Sequence, residues 1–291
     1  MRNSRGIRGE AAGRFTPAVE PYGEGIMTIE SAGPETAVTR YLVEESVATI
    51  TLDRPERHNA WTSAMGEQYF DQLERAAGDP DVRAIVVTGA GTSFCPGLDM
   101  GGLAAVATAG AAEGGTRPQT FPLGIPKPVV AAINGACAGI GLSLALMCDI
   151  RFAAAGAKLT TSFARRGLVA EHGTSWILPR LVGTSRALDL LLSGRVVLAE
   201  EARELGLVNF VVPRDQVLQA ALDYARDLAR NASPASMSVI KRQVLRHLDL
   251  SLDEALADSN ALMAESLRRP DVAEGVASFV ERRPPRFEPL S

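Results

Sequence analysis

Histidine and cysteine are scarce in this chain, with three of each among 291 residues. His58, His172 and His247 lie far apart, and Cys95, Cys137 and Cys148 show no ligand-type spacing. A metal site of the Cys/His kind is therefore not expected. An odd cysteine count without a framework excludes a disulfide scaffold and points to reduced thiols, hence a cytoplasmic protein. No apolar run approaches the roughly 18 residues that a membrane-crossing helix needs. Residues 1–27 contain no signal-peptide core. They are rich in Arg, Glu, Gly and Pro, and residues 1–30 are expected to be a disordered tail. A net charge of −4 argues against nucleic acid or an anionic membrane as partner.

What is present suits a soluble enzyme-sized domain. The chain is 46% hydrophobic and 22% charged, and its length fits one core of roughly 250 residues. Thr39 to Leu52 reads as a hairpin around Glu44-Glu45-Ser46, since apolar and polar residues alternate in its second half. A polar loop, Asp53 to Ala60, precedes a helix starting near Thr62 and stopping before Gly78. The last third reads as helices, with Pro234 in the first turn of one of them.

Two stretches organise the rest. Ala84 to Gly89 is an apolar strand that runs into Ala90 to Met100, a Gly-containing turn. Pro128 to Ile133 is another, running through Asn134-Gly135 and the small residues to Gly141, then into a buried helix. Each strand, turn and helix brings bare backbone N–H groups up to a point, and two such turns can aim two donors at one oxygen.

These stretches carry a resemblance. Phe94-Cys95-Pro96-Gly97-Leu98-Asp99 and Asn134 to Asp149 match two blocks of the crotonase (enoyl-CoA hydratase/isomerase) superfamily, and the likeness runs in order from about Thr39 to Phe287. The resemblance implies an α/β fold: a crotonase-type ββα spiral core over residues 38–230, followed by a C-terminal helical trimerisation region over 231–291. It implies a CoA thioester as substrate, no other cofactor, and a homotrimer or hexamer. Phe279 and Arg282 are then expected near a neighbouring subunit's ligand.

Carried over position by position, the resemblance places an oxyanion hole at the backbone N–H groups of Leu98 and Ile140. It places CoA contacts at Arg57 and His58, and further substrate contacts at Ala60, Cys95, Gly97, Asp99, Met100, Gly139 and Phe163. Asp99 could equally cap the helix beside it. The two glutamates of the hydratases fall at Ser143 and Phe163, which carry no carboxylate. One acid remains nearby, Glu171, in Gly167 to Thr174. That stretch resembles the single-acid block of the double-bond isomerases, so Glu171 is the expected proton carrier, ideally as a buried carboxylate. His172 is taken as a bystander, since neighbours in a turn usually point apart.

A Δ3,Δ2-enoyl-CoA type isomerase is thus the leading expectation. A hydratase-type lyase and a non-catalytic acyl-CoA-binding homologue remain open. A dehalogenase is discounted, because Gln119 to Ile125 offers no histidine.

Overall fold

Strand pairing begins at the hairpin. β1 (Thr39–Glu44) and β2 (Val47–Leu52) run antiparallel, with Thr39 opposite Leu52 and Glu44 opposite Val47. The two residues between them, Glu45 and Ser46, both have positive φ (49° and 63°), as a tight hairpin loop demands. The computed structural model describes residues 37–99, 101, 104 and 117–290, so the expected tail and Met100 lie outside the described residues.

From β2 onward the large sheet is parallel. Its order is β1-β2-β3-β5-β7-β10, with β3 at Ala84–Gly89, β5 at Val129–Ile133, β7 at Ile150–Ala154 and β10 at Phe210–Val212. Every residue of β3 and β5 is buried, as in a parallel sheet covered on both faces. A smaller sheet has the order β4-β6-β8-β9, from Ser93–Cys95, Ala136–Ala138, Lys158–Thr160 and Val197–Leu198. The chain alternates between the two sheets. β3 turns a corner into β4, β5 into β6, and β7 into β8.

Those corners correct the sequence reading, which took Ser93–Cys95 and Ala136–Ala138 for turn. Strands of three residues carry too few positions to show a period. Their partners on the neighbouring strands, such as Leu159 opposite Cys137, are what make them strands. Two buried asparagines pin the corners. The Asn134 amide donates to the Gly89 and Gly91 carbonyls at 2.8 and 3.0 Å. The Asn59 amide donates to the Ala90 and Ser93 carbonyls at 2.9 and 2.7 Å.

Helices fill the remaining layers. α1 (Ser63–Gly78) starts at Thr62, whose hydroxyl accepts the Met65 N–H at 3.2 Å. It buries Met65, Tyr69, Phe70 and Leu73 against the hairpin side of the sheet. It also runs through Gly78, further than its sequence suggested. The buried Lys127 ammonium donates to the Ala76 and Asp79 carbonyls at 2.7 and 2.6 Å, capping the C-terminus from elsewhere in the chain.

α2 (Ile140–Leu146) is buried throughout. α3 (Thr174–Val182), α4 (Thr184–Ser193) and α5 (Ala199–Leu205) follow. α6 (Val217–Asn231) turns Val217, Ala221, Ala225 and Ala229 onto the large sheet at four-residue spacing. α7 (Pro234–His247), α8 (Leu252–Ser266) and α9 (Pro270–Glu281) close the chain. They leave Ile240, Val244, Leu256, Met263 and Phe279 exposed, Phe279 by 84%.

Candidate active site

The small sheet aims its strand ends at one place. Pro96 to Asp99 leave β4, Gly139 and Ile140 leave β6, and Thr161 to Phe163 leave β8. All of them line a cleft of about 700 Å³. The opposite wall is α1, which presents Ser63, Gly66, Glu67 and Phe70, one helical face at i, i+3, i+4 and i+7.

Two residues that line this cleft carry backbone N–H groups without partners among the described residues. Leu98 forms a parallel bridge with Trp61, but the bridge uses its neighbours: the Trp61 N–H donates to the Gly97 carbonyl at 2.8 Å, and the Asp99 N–H to the Trp61 carbonyl at 2.9 Å. The N–H of Leu98 itself has no partner among the described residues. Ile140 is the first residue of α2, where a helix has no acceptor for the N–H, and it too has none among the described residues. Gly97 and Gly139 precede the two donors at φ of 121° and 52°. A backbone at such values comes at little cost only for glycine.

The polar loop closes one end. His58 and Asn59 adopt positive φ, and the Arg54 guanidinium donates to the Ala60 carbonyl at 2.8 Å and to the Asp99 carboxylate at 3.3 Å. Arg57, His58 and Ala60 line the cleft, as does Asp99. The Gly101 N–H, donating at 3.0 Å, and the Arg54 guanidinium hold the Asp99 carboxyl below the usual carboxylate range. Asp99 thus fastens the loop to the end of β4.

Glu171 also lines the cleft, though its side chain is 42% exposed and not the buried carboxylate expected. His172 is no bystander. Its Nε2 lies 3.3 Å from Glu171 Oε1, because His172 and Gly173 take φ of 57° and 74° and fold the chain back on itself. Burial pushes the His172 imidazole below its ordinary value, against the opposing pull of the Glu171 carboxylate. Ser143 is turned into the core, 2.9 Å from the Thr174 hydroxyl. Phe163 is buried and lines the cleft with its ring.

Cys95 is not brought to the site. It lies wholly in the core, where burial pushes its thiol up to about 12. Many lining residues escaped the sequence reading, Trp61, Glu67 and Gln119 among them. The one-sided pattern of α1 was the available signal for Glu67. Among the described residues no group of three His, Cys, Asp or Glu is placed to hold a metal ion. No helix among them is long and apolar enough to cross a membrane.

Comparison with known proteins adds the following. The family model described as Enoyl-CoA hydratase/isomerase matches residues 43–289. A probable enoyl-CoA hydratase of Rhodobacter capsulatus is 40% identical over 258 residues, 85% of this chain and 96% of that protein. The 1,2-epoxyphenylacetyl-CoA isomerase of Escherichia coli is 35% identical over 252 residues, 84% of this chain and 96% of that one. Among solved structures, a probable enoyl-CoA hydratase/isomerase from Mycobacterium abscessus superposes with a TM-score of 0.80. It is 35% identical, over 87% of this chain and 99% of that one.

Proposed function

Since the chain belongs to the enoyl-CoA hydratase/isomerase family, we propose that it shifts a carbon–carbon double bond in an enoyl-CoA thioester, in the manner of a Δ3,Δ2-enoyl-CoA isomerase. The observation that carries this reading is the position of Glu171. It lines the same cleft as Leu98 and Ile140, whose N–H groups have no partner among the described residues. The positions of the hydratase glutamates meanwhile hold a core serine and a phenylalanine.

The chemistry needs one acid. The thioester oxygen lies between the two N–H donors. The Glu171 carboxylate takes a proton from C2, and the electron pair spreads into a dienolate whose oxygen the donors stabilise. The resulting carboxylic acid returns the same proton to C4, so the double bond moves and no atom is gained or lost. Neutral His172, 3.3 Å from the carboxylate, can orient it with one N–H. Arg57 and His58 hold CoA phosphates. The backbone of Ala60, Gly97, Met100 and Gly139 follows the pantetheine arm, and Phe163 packs on the ligand. No cofactor beyond the substrate's own CoA is required. The protein works in the cytoplasm as a trimer or hexamer built through the region from residue 231 onward.

Pure protein incubated with 3-enoyl-CoA and 2-enoyl-CoA esters, followed by mass and ultraviolet absorbance, tests the reading. Isomerised product of unchanged mass is expected. Glu171→Gln should lower that rate on the order of 10²–10⁴-fold while ester binding survives. A second reading has one observation in its favour. Glu67 lines the same cleft, and Glu67 with Glu171 would supply the two carboxylates that hydration uses. A product heavier by one water, lost in both Glu67→Gln and Glu171→Gln, would establish that reading.

A further inference from the structure

Trp61 as a residue is only 4% exposed, and its indole N–H makes no hydrogen bond among the described residues but is not sealed from solvent. An indole N–H has no other way to be satisfied than by donating. The six-membered edge and Nε1 of the ring lie over Gly66, where an added β-carbon would stand 3.1 Å from Cζ2 and 3.5 Å from Nε1. Both residues line the cleft, so the absence of a side chain at position 66 leaves room at the donor's edge. Gln119 lines the cleft as well, and its buried amide oxygen is likewise unpartnered among the described residues. Between them runs an aromatic wall. Phe70 meets Trp61 and Phe121 edge to face, with ring centres 6.4 and 5.8 Å apart. An acyl chain that fills the cleft takes this donor out of water, and an unpaired polar group so desolvated costs affinity unless the ligand offers it an acceptor.

The geometry points to Trp61 as a specificity residue: its indole N–H, across the gap left by Gly66, donates a hydrogen bond to an oxygen on the acyl group. The site therefore selects acyl-CoA thioesters that bear a hydroxyl, ether or carbonyl oxygen over plain hydrocarbon ones. Gln119 is the second polar group available to such a substituent. This inference rests on the acyl-CoA reading of the cleft but not on the isomerase step. The physical basis is that a site built to pair a substrate oxygen rejects the analogue that leaves its donor unpaired.

Binding of unreactive esters of equal length tests it without turnover. Hexanoyl-CoA is compared by calorimetry with 4-oxohexanoyl-CoA and 5-oxohexanoyl-CoA. One oxo ester is expected to bind roughly 10–100-fold tighter than hexanoyl-CoA. Trp61→Phe should erase that preference, so that hexanoyl-CoA and the oxo esters bind it equally, whatever the overall affinity of the variant. A direct readout needs no change at Trp61. The chain has two tryptophans, so two indole N–H resonances are expected, and Trp176→Phe assigns them. The Trp61 signal should shift with the oxo ester and stay in place with hexanoyl-CoA. Equal affinity for all three esters, or a preference that persists in Trp61→Phe, overturns the inference. If no ester binds, the acyl-CoA reading falls and this falls with it. If the preference holds but no enoyl-CoA is isomerised, only the isomerase step is lost.

Discussion

Gly141 lies so close to Cys95 that a β-carbon built on it would stand 2.1 Å from the Cys95 carbonyl oxygen. Helix α2 is thereby seated directly on the backbone of β4, and the Leu98 and Ile140 donors are held in one frame. Gly141→Ala has to push these two elements apart. A loss of about 1–3 kcal/mol or more is expected in urea unfolding, the scale of an overpacked core. Gly78→Ala, where nothing lies within 4 Å, is the control and should be neutral or slightly stabilising. Equal midpoints for the two variants would contradict the packing described.

Ile140→Pro probes the second donor with little damage to the fold. Proline is well tolerated at the first position of a helix, and no hydrogen bond among the described residues uses that N–H. Turnover should drop by roughly 10²–10³-fold with an unchanged circular dichroism spectrum. A folded variant of full activity would remove Ile140 from the site.

Acidification should destabilise the fold through His172. Its imidazole titrates below the ordinary value in the folded chain because burial disfavours the charged form. At neutral pH it is uncharged in both states. As the pH falls below about 6.5, the unfolded chain takes up the proton first, so stability drops until the folded-state value is passed. Urea midpoints for wild type and His172→Gln, taken from pH 7.5 down to 5, should diverge, with wild type losing more. Parallel curves would mean that His172 is not buried as described.

Assembly is expected from the surface of the last helices. Ile240, Val244, Leu256, Met263 and Phe279 are large apolar side chains exposed on three successive helices, which a subunit contact would cover. Light scattering at micromolar concentration should give the mass of a trimer or hexamer. Phe279→Asp should lower it if α9 lies in the contact. A monomer across that range would refute the proposal.

The α/β class, the terminal helices and the two Gly-containing turns were legible because glycine patterns and long amphipathic periods are local signals. The stretch from Arg54 to Ala60 was legible as a polar loop, but its place at the cleft only through resemblance, since Asn59 does its work by bonding residues more than 30 positions away. The small sheet was not legible, because three-residue strands depend on partners remote in the chain. Block matching put the backbone at Cys95 beside the ligand and was silent on its thiol, which the structure buries in the core. His172 was misjudged for a different reason. Two successive positive-φ residues, one of them not glycine, reverse the chain, and propensity does not foresee that. Trp61 gave no sign at all in the sequence, for an unpaired donor is a property of the assembled wall.

The Leu98 and Ile140 donors belong to the main chain. Replacing either side chain by alanine leaves its N–H in place, so a conventional alanine scan of the cleft would pass over both. The information for this feature resides in the path of the backbone: in Gly97, Gly139 and Gly141, and in the asparagines that pin the corners. On the proposed reading of the cleft, substitutions other than proline at positions 98 and 140 can reshape the walls around a substrate while the donors stay put. In this scaffold, drift of substrate preference and retention of the donor pair are separable by construction.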